Sequence, residues 1–310
     1  MKIASLLPSA TEIVCALGLR ESLVGITHEC DYPPEVEHLP VLTASRISHE
    51  TMSSKEIDHA VRSQLDGHGS IYDLDNDLLH ELDPGLILTQ ELCDVCAVSY
   101  QTVLKAAKIY VADAQVVSLE PNTLDDIFEN ILEVGKLANV SDKAISVVND
   151  LRSRLDKIRT VTGNVGKRPK VLMLEWLEPP FAPGHWVPEQ VEIAGGTALM
   201  GKPGHRSETT TFDAIYESDP EVIVLIPCGY YTADTLRQLE NQMFPSNWSE
   251  ITAIKNNDVW ALDATKYFSR PGPRVVDGAE ILAKILHPDL FGEPRDDEAV
   301  RVPKGGLKFS

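Results

Sequence analysis

The sequence predicts an α/β fold of two lobes with mostly parallel sheets, bridged by a long α-helix. Short apolar runs alternate with helical patterns in both halves of the chain, and a long helical stripe lies between them. Such alternation favours parallel strands covered by helices on both faces. With 310 residues, 43% of them hydrophobic, the chain can bury two cores. We expect an N-terminal lobe at 1–120, connecting helices and a linker at 121–164, a C-terminal lobe at 165–290 and a loosely held tail at 291–310.

The first lobe is predicted to begin with a strand and a capped helix. Lys2–Leu7 is a short apolar run, and Ser9–Glu12 has the S-x-x-E pattern of a capping box. Gly18 is placed to end that helix near Leu17. Further strands are expected at 23–26, 86–89 and 115–119, and further helices at 57–65, 74–82 and 102–107.

The middle of the chain predicts two consecutive helices, at Thr123–Ala138 and from Ser141 to about Arg159. The second helix, of about 19 residues, would span about 30 Å at 1.5 Å per residue. The alternation then restarts and predicts the second lobe. Its strands are expected at 170–174, 222–226 and 259–262, and its helices at 187–194, 233–242 and 274–286.

Charge and hydropathy exclude two classes of partner. A formal net charge of −19, with no cluster of Lys and Arg, opposes binding to nucleic acid. No apolar run reaches the roughly 18 residues that a membrane span needs. The chain as written shows no secretory leader, because Pro8 breaks the first apolar run. This favours a cytoplasmic protein, or a periplasmic or other extracytoplasmic one if a leader has been removed.

Polar and aromatic residues collect after the predicted strands, where open parallel sheets bind ligands. Aromatic residues make up only 6% of the chain, yet many of them lie on these loops. Aromatic walls with a few polar groups suit a large, flat and mostly apolar small-molecule ligand. We expect such a ligand to lie in a cleft shared by the lobes. The expected ligand-binding residues are Pro8, Ser9, Glu29 and Gln90 in the first lobe and Glu175, Trp176, His185, Trp186, Tyr230, Tyr267 and Phe268 in the second.

Several segments, in order along the chain, resemble the cobalamin-binding proteins of bacterial ABC importers. In the first lobe they are Ser5–Glu12 (SLLPSATE), Val24–Thr27 (VGIT) and Asp31–Pro34 (DYPP); in the second they are Pro180–Gly184 (PFAPG), Val191–Gly196 (VEIAGG) and Ser269–Arg274 (SRPGPR). The resemblance spans roughly residues 2–286. It implies two Rossmann-like lobes of the periplasmic-binding-protein type, a rigid connecting helix and a ligand held between the lobes.

The resemblance also implies a ligand and a partner. The ligand would be cobalamin or a related corrinoid, and the corrin-contacting positions would lie near Glu29, Trp176, His185-Trp186 and Tyr267-Phe268. The partner would be the permease of an ABC importer, unless the chain is a cytoplasmic relative of such binding proteins. Haem-binding and iron-siderophore-binding proteins share the fold, so these ligands are alternatives.

The cysteines offer a different hypothesis, a zinc-dependent sensor. His28, Cys30, Cys93 and Cys96 could form a Cys₃His zinc site, since C-x-x-C is a usual half of one. A disulfide, or reduced thiols that line the loop, are alternative interpretations. Five cysteines, an odd number, do not resemble a disulfide framework.

Catalysis is the remaining alternative, on the same scaffold. Glu175 and Glu178 could act as an acid and base pair, and His185 could ligate cobalt or serve a corrinoid- or tetrapyrrole-processing enzyme. The sequence contains no evident pair of a nucleophile and an adjacent base. We therefore expect reversible binding without turnover.

Overall fold

A computed structural model describes residues 1–45, 72–90 and 100–310, together with Met52, Lys55–Ile57 and His59. The chain divides into two compact units. The first unit is Met1–Pro121 with Asp125–Asn149, and the second is Asn122–Leu124 with Asp150–Ser310. The helix predicted at 57–65 falls mostly outside the described residues.

The strands of the first unit are β1 (Ile3–Ser5), β2 (Leu23–Gly25), β3 (Thr43–Ser45), β4 (Tyr72–Leu74), β5 (Leu86–Thr89) and β6 (Gln115–Ser118). Four of them form a parallel sheet in the order β2-β1-β5-β6. A separate antiparallel pair joins β3 to β4. Side chains of the sheet and of its helices form an apolar core that includes Ala4, Leu42, Ile87 and Val103. The helices are α1 (Pro8–Ala16), α2 (Asn76–Leu82), α3 (Tyr100–Tyr110), α4 (Leu124–Leu137) and the first part of α5 (Ser141–Thr162).

Helix α1 begins differently from the sequence prediction. Leu7 is the extended N-cap, with no side-chain cap, and Pro8 occupies the first turn. Proline suits this position because its φ is already helical and its missing N–H would have no partner there. The capping box predicted at Ser9 is therefore wrong, since Ser9 lies inside the helix and is buried. The predicted end is confirmed, because Gly18 adopts φ +77° just beyond the helix.

Helix α5 is the long helix that the sequence predicts between the lobes. Its residues to Asn149 belong to the first unit and those from Asp150 to the second. It runs 22 residues, past the expected end at Arg159. Thr162 lies at its last turn and donates through Oγ1 to the carbonyl oxygens of Ile158 at 3.0 Å and Ile193 at 2.9 Å.

The strands of the second unit are β7 (Lys170–Leu174), β8 (Trp176–Leu177), β9 (Pro180–Ala182), β10 (Thr197–Leu199), β11 (Glu208–Thr209), β12 (Val222–Leu225), β13 (Met243–Phe244), β14 (Val259–Leu262), β15 (Ala299–Arg301) and β16 (Lys308–Phe309). Five of them form the main sheet in the order β10-β7-β12-β14-β15, parallel except for β15. A three-stranded antiparallel sheet, β11-β9-β8, and a parallel pair, β13 with β16, are separate from it. The helices are α6 (Val187–Ile193), α7 (Phe212–Ser218), α8 (Thr232–Leu239), α9 (Thr252–Lys255), α10 (Ala264–Tyr267), α11 (Val275–Leu286) and α12 (Pro288–Phe291).

These observations confirm the predicted fold class, two α/β units with mostly parallel sheets and a long helix that runs from one unit into the other. The strands expected at 86–89, 170–174 and 259–262 are confirmed to the residue. No helix of the described residues is both long enough and apolar enough to cross a membrane.

The expectation of a loosely held C-terminal tail is wrong. Strand β15 pairs antiparallel with β14 and so forms an edge of the main sheet of the second unit. Glu298, just before β15, is buried, and Lys284 Nζ on α11 binds both of its carboxylate oxygens, at 2.7 and 2.8 Å. The tail was predicted to be loose because it is charged, but one of these charges, on Glu298, forms an ion pair that holds the tail to α11.

Candidate functional site

In the second unit, three neighbouring strands bring predicted site residues to one edge of the sheet. Glu175 follows β7, Tyr230 lies on the loop after β12, and Tyr267 ends α10 after β14. Strands β7, β12 and β14 are adjacent and parallel, so their carboxyl ends share an edge. Backbone bonds join the loops there: Cys228 N donates to Glu175 O at 2.9 Å, and Thr265 N donates to Tyr230 O at 3.4 Å.

Two aromatic rings pack against each other at this edge. The ring centroids of Trp176 and Tyr230 lie 5.5 Å apart at an interplanar angle of 74°, an edge-to-face pair. Tyr230 is buried and Trp176 is half-buried, so Trp176 offers the accessible surface of the pair. Trp176 Nε1 is buried and has no hydrogen-bond partner in the described part of the chain. An unsatisfied buried N–H of this kind is uncommon in folded proteins.

His185 lies on a strained loop beside the same edge. Its backbone adopts φ +51°, a left-handed conformation that few non-glycine residues occupy. The loop is fixed by the 204–205 segment, because His185 N donates to His205 O at 2.6 Å and Gly204 N donates to His185 O at 3.0 Å. Burial lowers the pKa of His185 below its ordinary value of 6.5, and Arg206 lowers it further. The half-buried imidazole is thus neutral at pH 7.

Glu175 is connected to this loop through Ser207, which the sequence analysis did not single out. Ser207 Oγ donates to Glu175 Oε2 at 2.6 Å and accepts from Gly184 N at 3.1 Å. The Glu175 carboxyl lies among protein atoms, and this burial raises its pKa above 4.5, while the hydrogen bond from Ser207 opposes the rise. Ser207 lies in an irregular segment with no motif or periodicity, so no sequence pattern marks it.

Trp186 and Phe268, which the sequence predicts to contact a ligand, are both buried in the second unit. Trp186 Nε1 donates to Phe268 O at 2.9 Å. Gln190, on α6, is also buried and donates to Tyr267 O at 3.1 Å and Val275 O at 2.7 Å. In this unit, Trp186 and Gln190 fasten the His185 loop to the Tyr267 loop.

Tyr267 remains half-buried and lies at the carboxyl side of β14. Burial raises the pKa of its phenol above the ordinary 10.0, and nearby Asp263 and Asp277 raise it further. Its hydroxyl is therefore protonated at neutral pH and can donate a hydrogen bond. Trp176, His185 and Tyr267 thus form a partly exposed, uncharged set of side chains on this unit.

In the first unit, the predicted residues divide into buried and accessible ones. Pro8, Ser9 and Gln90 are buried at the ends of β1 and β5. Glu29 follows β2 and is partly exposed, and Tyr72 on β4 donates its hydroxyl to Glu29 Oε1 at 3.3 Å. Of the four ligand-binding residues expected in this unit, Glu29 is the one whose side chain is accessible.

The thiol of Cys30 takes part in a buried chain of hydrogen bonds. Thr11 Oγ1 donates to Ser5 Oγ at 2.8 Å, and Ser5 Oγ donates to Leu7 O at 2.9 Å. Thr11 Oγ1 also lies 3.1 Å from Cys30 Sγ. Either atom can be the donor of that contact, and the Cys30 side chain is buried beside it.

The described residues therefore give no support to the predicted zinc site at His28, Cys30, Cys93 and Cys96. They contain no group of three or more His, Cys, Asp or Glu side chains that could hold a metal ion. Cys93 and Cys96 lie outside the described residues. Among the described cysteines, Cys15, Cys30 and Cys228 are free of disulfides.

Comparison with known proteins places the chain in a family. Residues 3–265 match the family model described as periplasmic binding protein. The chain belongs to this family. Its relatives include an uncharacterized ABC transporter substrate-binding lipoprotein of Bacillus subtilis, 25% identical over 94% of this chain and 82% of that protein. A vitamin B12-binding protein of Vibrio cholerae is 24% identical over 92% of this chain and 88% of that protein.

Solved structures agree with this assignment at the level of the fold. A periplasmic haem-binding protein from Pseudomonas aeruginosa superimposes with a TM-score of 0.69 at 18% identity, over 93% of each chain. The resemblance predicted from the sequence segments, to the periplasmic-binding-protein type, is thereby confirmed.

Proposed function

We propose that this protein is the substrate-binding component of an ABC-type importer and that its ligand is cobalamin or a related corrinoid. The observation that carries the proposal is the neutral, partly exposed set of Trp176, His185 and Tyr267 at one sheet edge of the second unit. The ligand that suits this set is flat, largely apolar and rimmed by a few polar groups. The described relatives that are named for ABC transport and for vitamin B12 support the same class.

The proposed ligand matches the chemistry of these residues. Trp176 offers a partly exposed ring for an apolar face, and the protonated Tyr267 hydroxyl offers a donor for a polar rim. A corrinoid carries amide groups around its ring, and amide oxygens accept hydrogen bonds from such donors. Haem and iron siderophores carry carboxylates or other anionic oxygens, for which positively charged side chains are the usual partners. Arg206, near His185, and Arg274, near Tyr267, are such side chains, so the choice of a corrinoid rests on its match to the uncharged set and on the vitamin B12-binding relatives.

We propose that binding is reversible and involves no turnover. Glu175 accepts a hydrogen bond from Ser207, and the family model that the chain matches is that of periplasmic binding proteins. Because the relatives named above are binding proteins, we also place this one on the outer side of the membrane, where an importer takes up its ligand.

Calorimetric titration tests the proposal. Aquacobalamin, cobinamide and haemin are each added to the full chain, and the recovered ligand is analysed by mass spectrometry. We expect micromolar or tighter binding of the corrinoids, with their mass unchanged. Absence of binding by all three at high micromolar protein would overturn the ligand class, whereas a chemically altered corrinoid would overturn binding without turnover.

A further inference from the structure

In the first unit, one imidazole is fixed in place just beyond the carboxyl end of β2. His28 Nδ1 lies 2.7 Å from Thr43 Oγ1 on β3. The ring centroid of His28 lies 5.4 Å from that of Tyr72 on β4, at an angle of 49°. The antiparallel pair β3–β4 thus holds the ring from two sides.

Two threonine hydroxyls surround Nδ1 of His28. Thr43 Oγ1 lies 2.7 Å from His28 Nδ1 and accepts from the backbone N–H of His28 at 3.2 Å. Thr27 Oγ1 lies 3.4 Å from the same ring nitrogen and 2.9 Å from Thr43 Oγ1. When Nδ1 donates to Thr43 Oγ1, a neutral His28 has its free lone pair on Nε2.

His28 Nε2 makes no hydrogen bond within the described residues. It lies 3.9 Å from Glu29 Oε1, beyond hydrogen-bond distance, and that oxygen accepts from the Tyr72 hydroxyl. The side chain is 24% exposed, enough for a ligand to reach the ring.

We propose that His28 Nε2 binds the central metal ion of a metal macrocycle. This inference rests on the proposed function, since it needs a metal macrocycle as cargo. A neutral imidazole whose other nitrogen donates to a fixed acceptor is the usual form of a protein metal ligand. The step is a ligand exchange: the bond from the metal to a bound water breaks, a bond to Nε2 forms, and the water leaves without any change of oxidation state.

His185 is less suited to the same role. Its Nδ1 is buried without a hydrogen-bond partner in the described residues, so no acceptor fixes the tautomer. His28 Nδ1 instead lies 2.7 Å from Thr43 Oγ1, which holds the ring, and its Nε2 makes no hydrogen bond within the described part of the chain. The sequence offers cobalt ligation as one hypothesis for His185 and zinc ligation as one for His28; the contacts of His28 favour a different use of this residue.

The variant His28→Asn gives a sharp test. The Asn side-chain amide can take the place of Nδ1–H and donate to Thr43, but it has no atom at the position of Nε2. His80→Asn is the matched control, because His80 Nδ1 lies 2.8 Å from Tyr110 O in a similar way, on α2 and away from the strand ends. Far-UV circular dichroism verifies that both variants are folded.

Aquacobalamin and haemin are the probes, and their visible absorption spectra are the main measurement. With the wild type and His80→Asn, we expect at least one probe to change from the spectrum of the water-bound metal to that of the imidazole-bound metal. With His28→Asn, we expect the water-bound spectrum and an affinity at least about tenfold lower. Free imidazole added to the complex with His28→Asn should restore the shifted spectrum.

Three results would overturn the inference, and they are distinguishable. If wild type and His28→Asn bind the probes equally and with unshifted spectra, His28 does not coordinate the metal and the proposed function stands. If the wild type binds none of the probes, the proposed function fails and the inference fails with it. A shift that persists in His28→Asn but is lost in His185→Asn would assign the axial role to His185 instead.

Discussion

Ser207 Oγ donates a hydrogen bond to Glu175 Oε2 at 2.6 Å while it accepts one from Gly184 N at 3.1 Å. One hydroxyl thus connects the carboxyl that follows β7 to the loop that carries His185. Replacing Ser207 with alanine leaves both partners without this hydrogen bond. We expect a loss of about 1–3 kcal/mol in the free energy of unfolding, the usual cost of unsatisfied buried polar groups. Urea denaturation measures it.

Ser249→Ala is the control for Ser207→Ala. Ser249 Oγ makes a short local bond to Ser246 O on an exposed helical turn, so its loss should change the stability by less than about 0.5 kcal/mol. Equal stability of Ser207→Ala and the wild type would show that the connection between Glu175 and Gly184 contributes nothing.

Stability should depend on pH through Glu175. Burial raises the pKa of this carboxyl in the folded protein above 4.5, so the folded state keeps a proton that the unfolded chain has released. Stability therefore falls as pH rises from about 4.5 to the folded pKa and is level above it. Glu175→Gln removes this dependence. The unfolding free energy of Glu175→Gln minus that of the wild type should therefore increase between about pH 4.5 and the folded pKa. Urea titrations from pH 4 to 8 measure this difference.

Glu208→Gln, at an exposed carboxylate of β11, controls for the loss of one negative charge. A pH profile of Glu175→Gln that is parallel to the wild type would contradict the raised pKa. If the unfolding free energy of the variant instead falls relative to that of the wild type as pH rises, the folded state favours the ionised carboxylate.

Affinity for the ligand should depend on Trp176. Trp176→Ala removes an aromatic contact of the kind that commonly contributes about 2 kcal/mol or more, which is roughly a thirtyfold loss in affinity. Trp176→Phe keeps a ring but lacks the Nε1 donor, so its loss should be smaller. Trp260→Phe is the control, because Trp260 is buried on β14, where Nε1 bonds Asp258 Oδ1 at 2.8 Å. Corrinoid affinities unchanged in Trp176→Ala would contradict a contact with this ring.

Trp186→Phe should affect the stability of the protein more than its direct contact with a ligand. The variant loses the Nε1 hydrogen bond and leaves the Phe268 carbonyl oxygen without this donor in the interior. We expect a loss of about 1–3 kcal/mol in unfolding free energy, measured by urea denaturation. If stability were unchanged while affinity fell by roughly thirtyfold, Trp186 would be a ligand contact, as the sequence analysis expects.

Trp176 and Trp186 show which features of the site could be predicted from the sequence and which could not. The alternation of apolar runs and helical stripes predicts the fold class, because period and length alone distinguish strands from helices. The rule on strand ends predicts which loops gather at one edge. Neither indicates which aromatic on a loop is half-exposed and which is buried, since that depends on the packing of α6 and α10 side chains.

Other features could not be predicted because they depend on contacts between distant residues. Ser207 and Gln190 acquire their roles from partners that are remote in sequence, and no local pattern marks either. The tail was predicted to be loose from its charge, yet Lys284 pairs with Glu298 across the turn that precedes β15. In the first unit, the tautomer of His28 depends on the hydroxyls of Thr27 and Thr43.

Arg154 should stabilise the second unit by connecting α5 to α11. Its guanidinium binds both carboxylate oxygens of Glu280, at 2.9 and 2.6 Å, and also contacts Asp277. The two carboxyls raise the pKa of Arg154, whereas burial raises the pKa of Asp277 even beside this cation. Because about a quarter of the Arg154 side chain is exposed, solvent screens part of the interaction.

Arg154→Lys keeps the charge but cannot bind Glu280 through two nitrogens, and we expect a loss of about 1 kcal/mol. Arg154→Met also leaves the two carboxyls without the Arg154 cation, so it should cost more, and the excess should shrink at low pH as Asp277, whose pKa is raised, takes up a proton. Arg159→Met is the matched control on the same helix, since Arg159 pairs with exposed Asp156, three residues earlier. Its loss should be about 0.3–0.5 kcal/mol or less. Urea denaturation at pH 7 and pH 4 separates these expectations: equal losses for Arg154→Met and Arg159→Met at both values would mean that the α5–α11 ion pairs contribute no more than an exposed pair.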